Sequence, residues 1–152
     1  MKRLKKGFTL IELLVVIAII GILATTLAPK LREQLAKAKD AKAIAVLGAG
    51  RTAGSILFVD KMVQTTTGAI VTPTLEEIYN KLDSKAQKVY VDIDTNYEDL
   101  VIGGSRPDAT GKMTYGGKVA LKAPTTTTTS ESIELNFKTT TFSTEGKKWS
   151  TY

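Results

Sequence analysis

The chain has 152 residues, of which 43% are hydrophobic and 24% are charged. This length and composition allow one modest globular domain besides any long apolar segment. Cysteine and histidine are both absent, which excludes disulfides, thiolate metal sites and histidine-based catalysis. The remaining carboxylates, hydroxyls and lysines form no constellation that indicates an enzyme. We therefore expect a protein that is not an enzyme and needs no cofactor.

The formal net charge is +6, but much of it comes from a cluster before residue 8: Lys2, Arg3, Lys5 and Lys6. Removing these four charges from +6 leaves +2 for the rest of the chain. The basic character alone therefore does not predict a nucleic-acid partner. The cluster fits an orientation in which the N-terminus stays in the cytoplasm and the C-terminal part is exported.

An almost wholly apolar stretch runs from Phe8 to Ala28. As a helix rising ~1.5 Å per residue, it is long enough to cross the ~30 Å hydrocarbon core of a bilayer. Glu12 is the one carboxylate inside it, and a charge at that depth costs on the order of 2.5–3.5 kcal/mol. If the chain were cut between Gly7 and Phe8, the new amine would lie one helical turn from Glu12. The carboxylate would then pair with that amine, either in its own chain or in a neighbour stacked with an axial offset.

The residues Gly7-Phe8-Thr9-Leu10-Ile11-Glu12, followed by the apolar stretch, closely resemble the class III signal of type IV pilins and type II secretion pseudopilins. The resemblance covers the first third of the chain. It implies cleavage after Gly7 by a prepilin peptidase, N-methylation of Phe8, and a role for Glu12 in methylation and subunit docking. It also implies a helical filament of copies of this chain and other pilins, built by an inner-membrane assembly platform from subunits stored in membrane lipid.

The same resemblance implies three parts of the chain: a cleaved leader at 1–7, a transmembrane and filament-core helix at 8–29, and a pilin-like globular domain at 30–152. The helix continues into that domain. Gly21 and Pro29 bound the segment that is unwound in the filaments of some members. Many pilins close their C-terminal region with a disulfide, and this chain departs from that pattern. The alternative is an ordinary secretory signal peptide, against which Glu12 within the apolar region argues.

Strong helix formers continue beyond Pro29 and predict one long helix from about Thr9 to about Val59, bent near the proline. One face at helical spacing carries Leu31, Leu35, Ala38 and Lys42. Small residues at 46–58 favour close packing against the sheet of the same domain, with packing against other helices as the alternative. A capping box of Thr74 and Glu77 predicts a short helix, Leu75–Leu82.

From residue 87 the hydrophobic period changes to two, which predicts strands at 87–94, 100–102, 132–142 and 147–152. Gly116-Gly117 predicts the turn of a hairpin between 113–115 and 118–122. Strands that follow a long helix predict an α+β fold, with a small antiparallel sheet packed on that helix. The pilin fold implied by the resemblance has the same plan. The threonine run at 125–129 is expected to be a loop, with an edge strand or an O-glycan cluster as alternatives.

An acidic cluster supplies the oxygen ligands that suit calcium: Asp92, Asp94, Asn96, Glu98 and Asp99. It lacks the glycine and the last glutamate of an EF-hand, so a solvated turn is favoured over a metal site. Gly103-Gly104 and Gly116-Gly117 lack the context of a phosphate loop and are expected to be turns. Lys147 and Lys148 beside Trp149 would suit binding of DNA or polysaccharide, although the solubility of an edge strand explains the lysines as well.

The favoured hypothesis is a structural subunit of a type IV pilus-like filament, processed by prepilin peptidase and polymerised through its N-terminal helix. The alternative within the family is a pseudopilin of a type II secretion or competence system. An alternative of another class is a membrane-anchored extracytoplasmic binding module. The expected location is the cytoplasmic membrane, with the C-terminal domain exported, and then an extracellular or periplasmic filament.

Overall fold

The computed structural model describes residues 8–65, 71–91, 93, 96–106, 111–126, 133–138 and 141–152. Three helices are found in these residues: α1 (Leu10–Gln64), α2 (Leu75–Lys81) and α3 (Ser84–Gln87). The strands are β1 (Asp99–Val101), β2 (Gly104–Ser105), β3 (Thr114–Tyr115), β4 (Lys118–Ala120), β5 (Thr125–Thr126) and β6 (Ile133–Glu134). A short 3-10 helix follows at Trp149–Thr151. Internal contacts divide the chain into two compact units, Met1–Gln34 and Leu35–Tyr152.

In the first unit, α1 runs through both Gly21 and Pro29 without ending. Its large apolar side chains are exposed, from 45% for Val16 to 82% for Leu10. Within the described residues, α1 is the helix that is long and apolar enough to cross a membrane, with a mean hydropathy of 2.7 over its best window. The predicted long helix is thus confirmed, and it ends at Gln64 rather than near Val59.

In the second unit, α1 buries a face at spacings of three or four residues: Ala36, Asp40, Ala43, Leu47, Gly50, Gly54 and Phe58. The predicted face is wrong, because Leu35 is 58% exposed and Ala38 and Lys42 are exposed as well. This face is the one that packs against the rest of the unit because many of its side chains are small. A Cβ on Gly50 would lie 2.9 Å from Cδ2 of Leu135, so only a glycine allows this contact without displacement. The packing of 46–58 on the protein's own strands is therefore confirmed.

The segments 99–105 and 114–120 form one antiparallel hairpin. β1 pairs with β4 (Leu100 opposite Val119), and β2 pairs with β3 in the same register. Between the two ladders, Ile102 N–H donates to Gly117 O at 3.1 Å and Gly116 N–H donates to Gly103 O at 2.7 Å. The connection of this hairpin is therefore 106–113. The prediction that Gly116-Gly117 forms the turn is wrong: their φ angles of 80° and 126° interrupt a strand instead.

Further antiparallel bridges join Tyr90 to Leu100 and Leu121 to Phe137. The segments therefore pair in chain order, 89–91, then 99–101, then 118–122, then 136–138, and β5 pairs with β6 beyond them. The α+β fold, with a long helix and small antiparallel sheets, is confirmed. The capping box that starts α2 is confirmed as well, with Leu82 as the C-cap.

Three predictions about the strands are wrong. Residues 87–94 do not alternate, because Val89 and Tyr90 are both buried whereas Ile93 is 39% exposed. Tyr90 is buried because its ring packs edge-on against Tyr79, with the centroids 5.1 Å apart. Residues 149–151 form a 3-10 helix rather than a strand. Thr125 and Thr126 belong to β5 rather than to a loop, whereas 127–129 lie outside the described residues.

Candidate functional site

The start of α1 is organised by Thr9 and Glu12. Oε2 of Glu12 accepts the backbone N–H of Thr9 at 2.8 Å and its hydroxyl at 2.7 Å. In return, Glu12 N–H donates to Oγ1 of Thr9 at 3.3 Å. This is a reciprocal capping box, which satisfies amide groups that a helix start leaves unpaired. This box is not among the predictions from the sequence, although the local pattern Thr-x-x-Glu indicates it.

The capping box leaves part of the carboxylate available. Both hydrogen bonds from Thr9 go to Oε2, and none of the described residues donates to Oε1 of Glu12. Phe8 is 74% exposed beside it. Gly7 lies outside the described residues, so cleavage after Gly7, methylation of Phe8 and pairing of Glu12 with an amine stay predictions.

The calcium candidates are only partly described. Asp92 and Asp94 lie outside the described residues, and the Oδ1 atom of Asn96 accepts the N–H of Glu98 at 3.2 Å. Asp99 is nearly buried and binds Lys118, with Oδ2 and Nζ 2.6 Å apart. The described residues contain no group of three side chains that would hold a metal ion. The metal site therefore stays untested, and the structure gives Asp99 a different partner.

The surface-binding hypothesis at the C-terminal segment is wrong for Trp149. This side chain is fully buried, with its ring 5.1 Å from that of Phe137 and 5.6 Å from that of Tyr152. It has no face left on which a base or a sugar would stack. Lys147 instead places Nζ 4.1 Å above the ring of Tyr152, a cation–π contact within the protein.

Buried Asp40 and half-buried Arg51 on α1 have structural roles that the sequence did not reveal. Asp40 is only 4% exposed, and it accepts the N–H of Gly103 and of Thr144, each at 2.8 Å. Arg51 donates to Leu135 O at 2.8 Å, to Oδ1 of Asn136 at 2.8 Å and to Tyr152 O at 2.9 Å. Both side chains therefore connect α1 by hydrogen bonds to segments that follow much later in the chain.

The backbone at Gly103, which donates to Asp40, also lies very close to the backbone of α1. A Cβ on Gly103 would collide with the backbone carbonyl of Ala36 on α1. Gly104 lies inside β2, where a Cβ would collide with the carbonyl of Thr114. The expectation that Gly103-Gly104 forms a turn is therefore wrong. Gly103 therefore lets this segment lie directly against α1, and Gly104 allows the close approach of β3.

Two ionisable residues outside the apolar part of α1, Glu77 and Tyr90, have shifted pKa values. The Lys61 ammonium, 2.8 Å from Oε2 of Glu77, lowers the pKa of that carboxyl, and the N–H of Thr74 contributes in the same direction. Burial raises the pKa of Tyr90 from 10.0 to about 12. Both shifts follow from structural contacts and give no sign of a catalytic centre.

Comparison with known proteins agrees with the geometry at the start of α1. Residues 2–28 match the family model of the prokaryotic N-terminal methylation motif. The N-terminal segment of this chain is therefore similar to that of type IV pilins. The chain is 43% identical over 60 residues to a type IV major fimbrial protein, FimA, of Dichelobacter nodosus. It is 49% identical over 49 residues to fimbrial protein Q of Moraxella bovis, and 43% identical over 63 residues to fimbrial protein EcpC of Eikenella corrodens.

These similarities cover less than half of each protein. The alignment with the Dichelobacter protein takes in 40% of this chain and spans 38% of that relative. For the Moraxella protein the shares are 32% and 31%, and for the Eikenella protein 41% and 41%. No solved structure matches the chain.

Proposed function

We propose that this protein is a type IV pilin, a structural subunit of a type IV pilus-like filament, processed by a prepilin peptidase and polymerised through the N-terminal part of α1. The supporting observation is the capping box of Thr9 and Glu12 at the head of an exposed apolar helix, directly after the expected cleavage point. The relatives are named fimbrial proteins, which favours a pilus over the alternative of a pseudopilin.

In the proposed mechanism, the peptidase cleaves after Gly7 and the amine of Phe8 is methylated. The apolar segment 8–29 is held in lipid until assembly transfers it to a filament core, where close packing with other copies keeps it from water. Thr9 fixes Oε2 of Glu12, so Oε1 remains for the Phe8 amine of a neighbouring copy. That pair neutralises the one carboxylate in the apolar segment and fixes the axial register between copies.

Mass spectrometry of the protein from its native cells tests the processing. Intact mass and the N-terminal peptide should show a mature chain that begins with N-methyl-Phe8. A start between residues 24 and 29, or an uncut Met1, would mean a conventional signal or anchor. Such a result would support the membrane-anchored binding module in place of the filament subunit.

Two substitutions test the proposed pairing. With Glu12→Ala or Glu12→Lys, the processed protein should stay in the membrane fraction and be missing from filaments sheared from the cell surface. Glu76→Ala, which removes an exposed carboxylate on α2, should enter filaments normally. Normal incorporation of both Glu12 variants would overturn the mechanism.

A further inference from the structure

A long open groove runs along α1 on the side that the strands do not cover. One wall is α1 between Lys42 and Ile56, and the other is the segment 81–86, which runs from the end of α2 into α3. It encloses about 570 Å³. At ~1.5 Å per residue, the α1 wall is about 21 Å long, or about four helical turns.

The floor of the groove is apolar. It is formed by Ala45, Ala49 and Ala53 on α1, with Leu82 and Ala86 opposite. Thr52 also lines it, but its hydroxyl already donates to Gly48 O at 3.2 Å. The floor therefore offers methyl and methylene groups to an occupant and no side-chain hydroxyl that still needs a partner.

The rim of the groove is cationic on both walls. Lys42 lies on the α1 wall, and Lys81 and Lys85 lie on the opposite wall. In the described part of the chain, none of the three forms an ion pair. The one carboxylate of the rim, Asp83, caps α3 by accepting Ala86 N–H at 2.7 Å. Three ammonium groups thus surround an apolar floor without a counter-charge of their own.

We propose that this groove binds an amphipathic helix of a different protein, one whose apolar stripe is flanked on both sides by Asp and Glu. Helices bind apolar grooves by inserting residues spaced three and four apart. The four-turn length fits such a stripe, and the alanine floor allows the two backbones to approach closely. The open top suits a helix, which buries one face and leaves the other in water, whereas a small ligand is mostly enclosed by its site.

The charge of the groove favours this partner over two other occupants, a second copy of this chain and an anionic lipid. The stretch 30–42 of α1 in a second copy would offer the wrong sign, because its exposed charged side chains are Lys30, Arg32, Lys39 and Lys42, while Asp40 is buried. A lipid with one anionic headgroup would use the lysines of one wall only. Carboxylates along both edges of a helical stripe complement both walls.

The test uses the full-length protein in non-ionic detergent and a synthetic helical peptide of about four to five turns, with a Leu/Ala stripe and glutamates along both edges. A peptide of the same composition without the stripe, and one with lysine in place of glutamate, serve as comparisons. The striped acidic peptide should bind, as measured by fluorescence anisotropy against empty micelles, and added salt should weaken it. Failure of this peptide to bind would overturn the proposal.

Substitutions inside and outside the groove test whether the peptide binds there. Lys81→Glu with Lys85→Glu should weaken the striped acidic peptide by about tenfold or more, whereas Lys88→Glu with Lys122→Glu, outside the groove, should leave it unchanged. Ala49→Phe should block the floor, and Ala38→Phe, exposed elsewhere on α1, should not. The buried Trp149 reports by its fluorescence that each variant is folded. Equal binding by groove and control variants would overturn the proposal.

A photo-crosslinker in place of Ala86, in native cells, tests the two rival occupants. An adduct with twice the mass of the chain would mean that a second copy occupies the groove. An adduct with lipid alone would mean an anionic amphiphile. Either adduct would overturn the proposal, whatever the peptide does.

Discussion

Asp40 on α1 accepts the backbone N–H of Thr144 at 2.8 Å, across 104 residues of chain. The second oxygen of the same carboxylate accepts Gly103 N–H. The carboxylate is buried, so each amide has this one partner in place of water. A single acidic side chain therefore connects the helix, the strand region and the C-terminal segment.

Replacement of Asp40 by asparagine should destabilise the unit Leu35–Tyr152 by about 1–3 kcal/mol, because the amide nitrogen of Asn cannot accept the second N–H. Urea unfolding of the full chain in micelles, followed by Trp149 fluorescence, measures the change. Asp60→Asn, at an exposed position on α1, is the matched control and should unfold at the same urea concentration as the unchanged chain. Equal midpoints for the two variants would contradict the role of Asp40.

Gly103→Ala should destabilise more than any exposed glycine substitution, because the added methyl group meets the carbonyl of Ala36. Strand and helix would have to separate, which also weakens the Gly103 contact with Asp40. Gly48→Ala is the opposite case, since a Cβ there meets nothing within 4 Å. It should stabilise α1 by about 1 kcal/mol. Thermal midpoints that move in the same direction for both variants would contradict this assignment.

Tyr90 should make stability fall at high pH. Its pKa is raised to about 12 in the fold, chiefly by burial, so the unfolded chain ionises first as the pH rises past 10. The contribution of Tyr90 to the free energy of unfolding is fully present below pH 10. It declines by about 2–3 kcal/mol between pH 10 and 12. Tyr90→Phe should remove this part of the decline, and Tyr115→Phe, at an exposed position, should not. Denaturant midpoints across that pH range measure the difference.

Glu77 should make the stability of the fold fall at acidic pH. Its pKa is lowered by Lys61, so its contribution is present above the ordinary carboxyl pKa and is lost as the pH falls through the lowered value. Glu77→Gln keeps the capping box and removes the charge. Because the side chain is 41% exposed, the loss at pH 7 should stay below about 1 kcal/mol and disappear in acid. Glu76→Gln, on the exposed side of α2, should show no such pH dependence; a pH-independent loss in Glu77→Gln would argue against the ion pair.

Features decided by neighbouring residues were predictable from the sequence. The apolar run from Phe8 and the capping box at Thr74 depend on spacings of a few residues, and both are found as expected. Thr9 and Glu12 belong to the same class and were overlooked, because the carboxylate was considered only as a partner for an amine. Local chemistry of this kind is present in the sequence before any tertiary contact exists.

Features decided by distant segments were not predictable. Asp40 looks like a surface carboxylate in a basic helix, and only Gly103 and Thr144 make it an interior residue. Gly116-Gly117 has the composition of a turn, but the register of 99–105 against 114–120 places it within a strand. Val89 and Tyr90 are buried together because Tyr79 covers the second ring, which no alternation within the strand reveals.

The pairing of segments in chain order has a consequence for folding during synthesis. Each strand can join the one made just before it, so the sheet is able to grow while the polypeptide is still emerging. The contacts that lock this sheet to α1 arrive last: Asp40 and Arg51 wait for Thr144 and Tyr152, which are made roughly a hundred residues later. Until then Asp40 can accept only the N–H of Gly103, and Arg51 can donate only to Leu135 O and to Oδ1 of Asn136. A pause in translation before residue 141 should therefore yield a nascent chain that a protease still cuts within the domain.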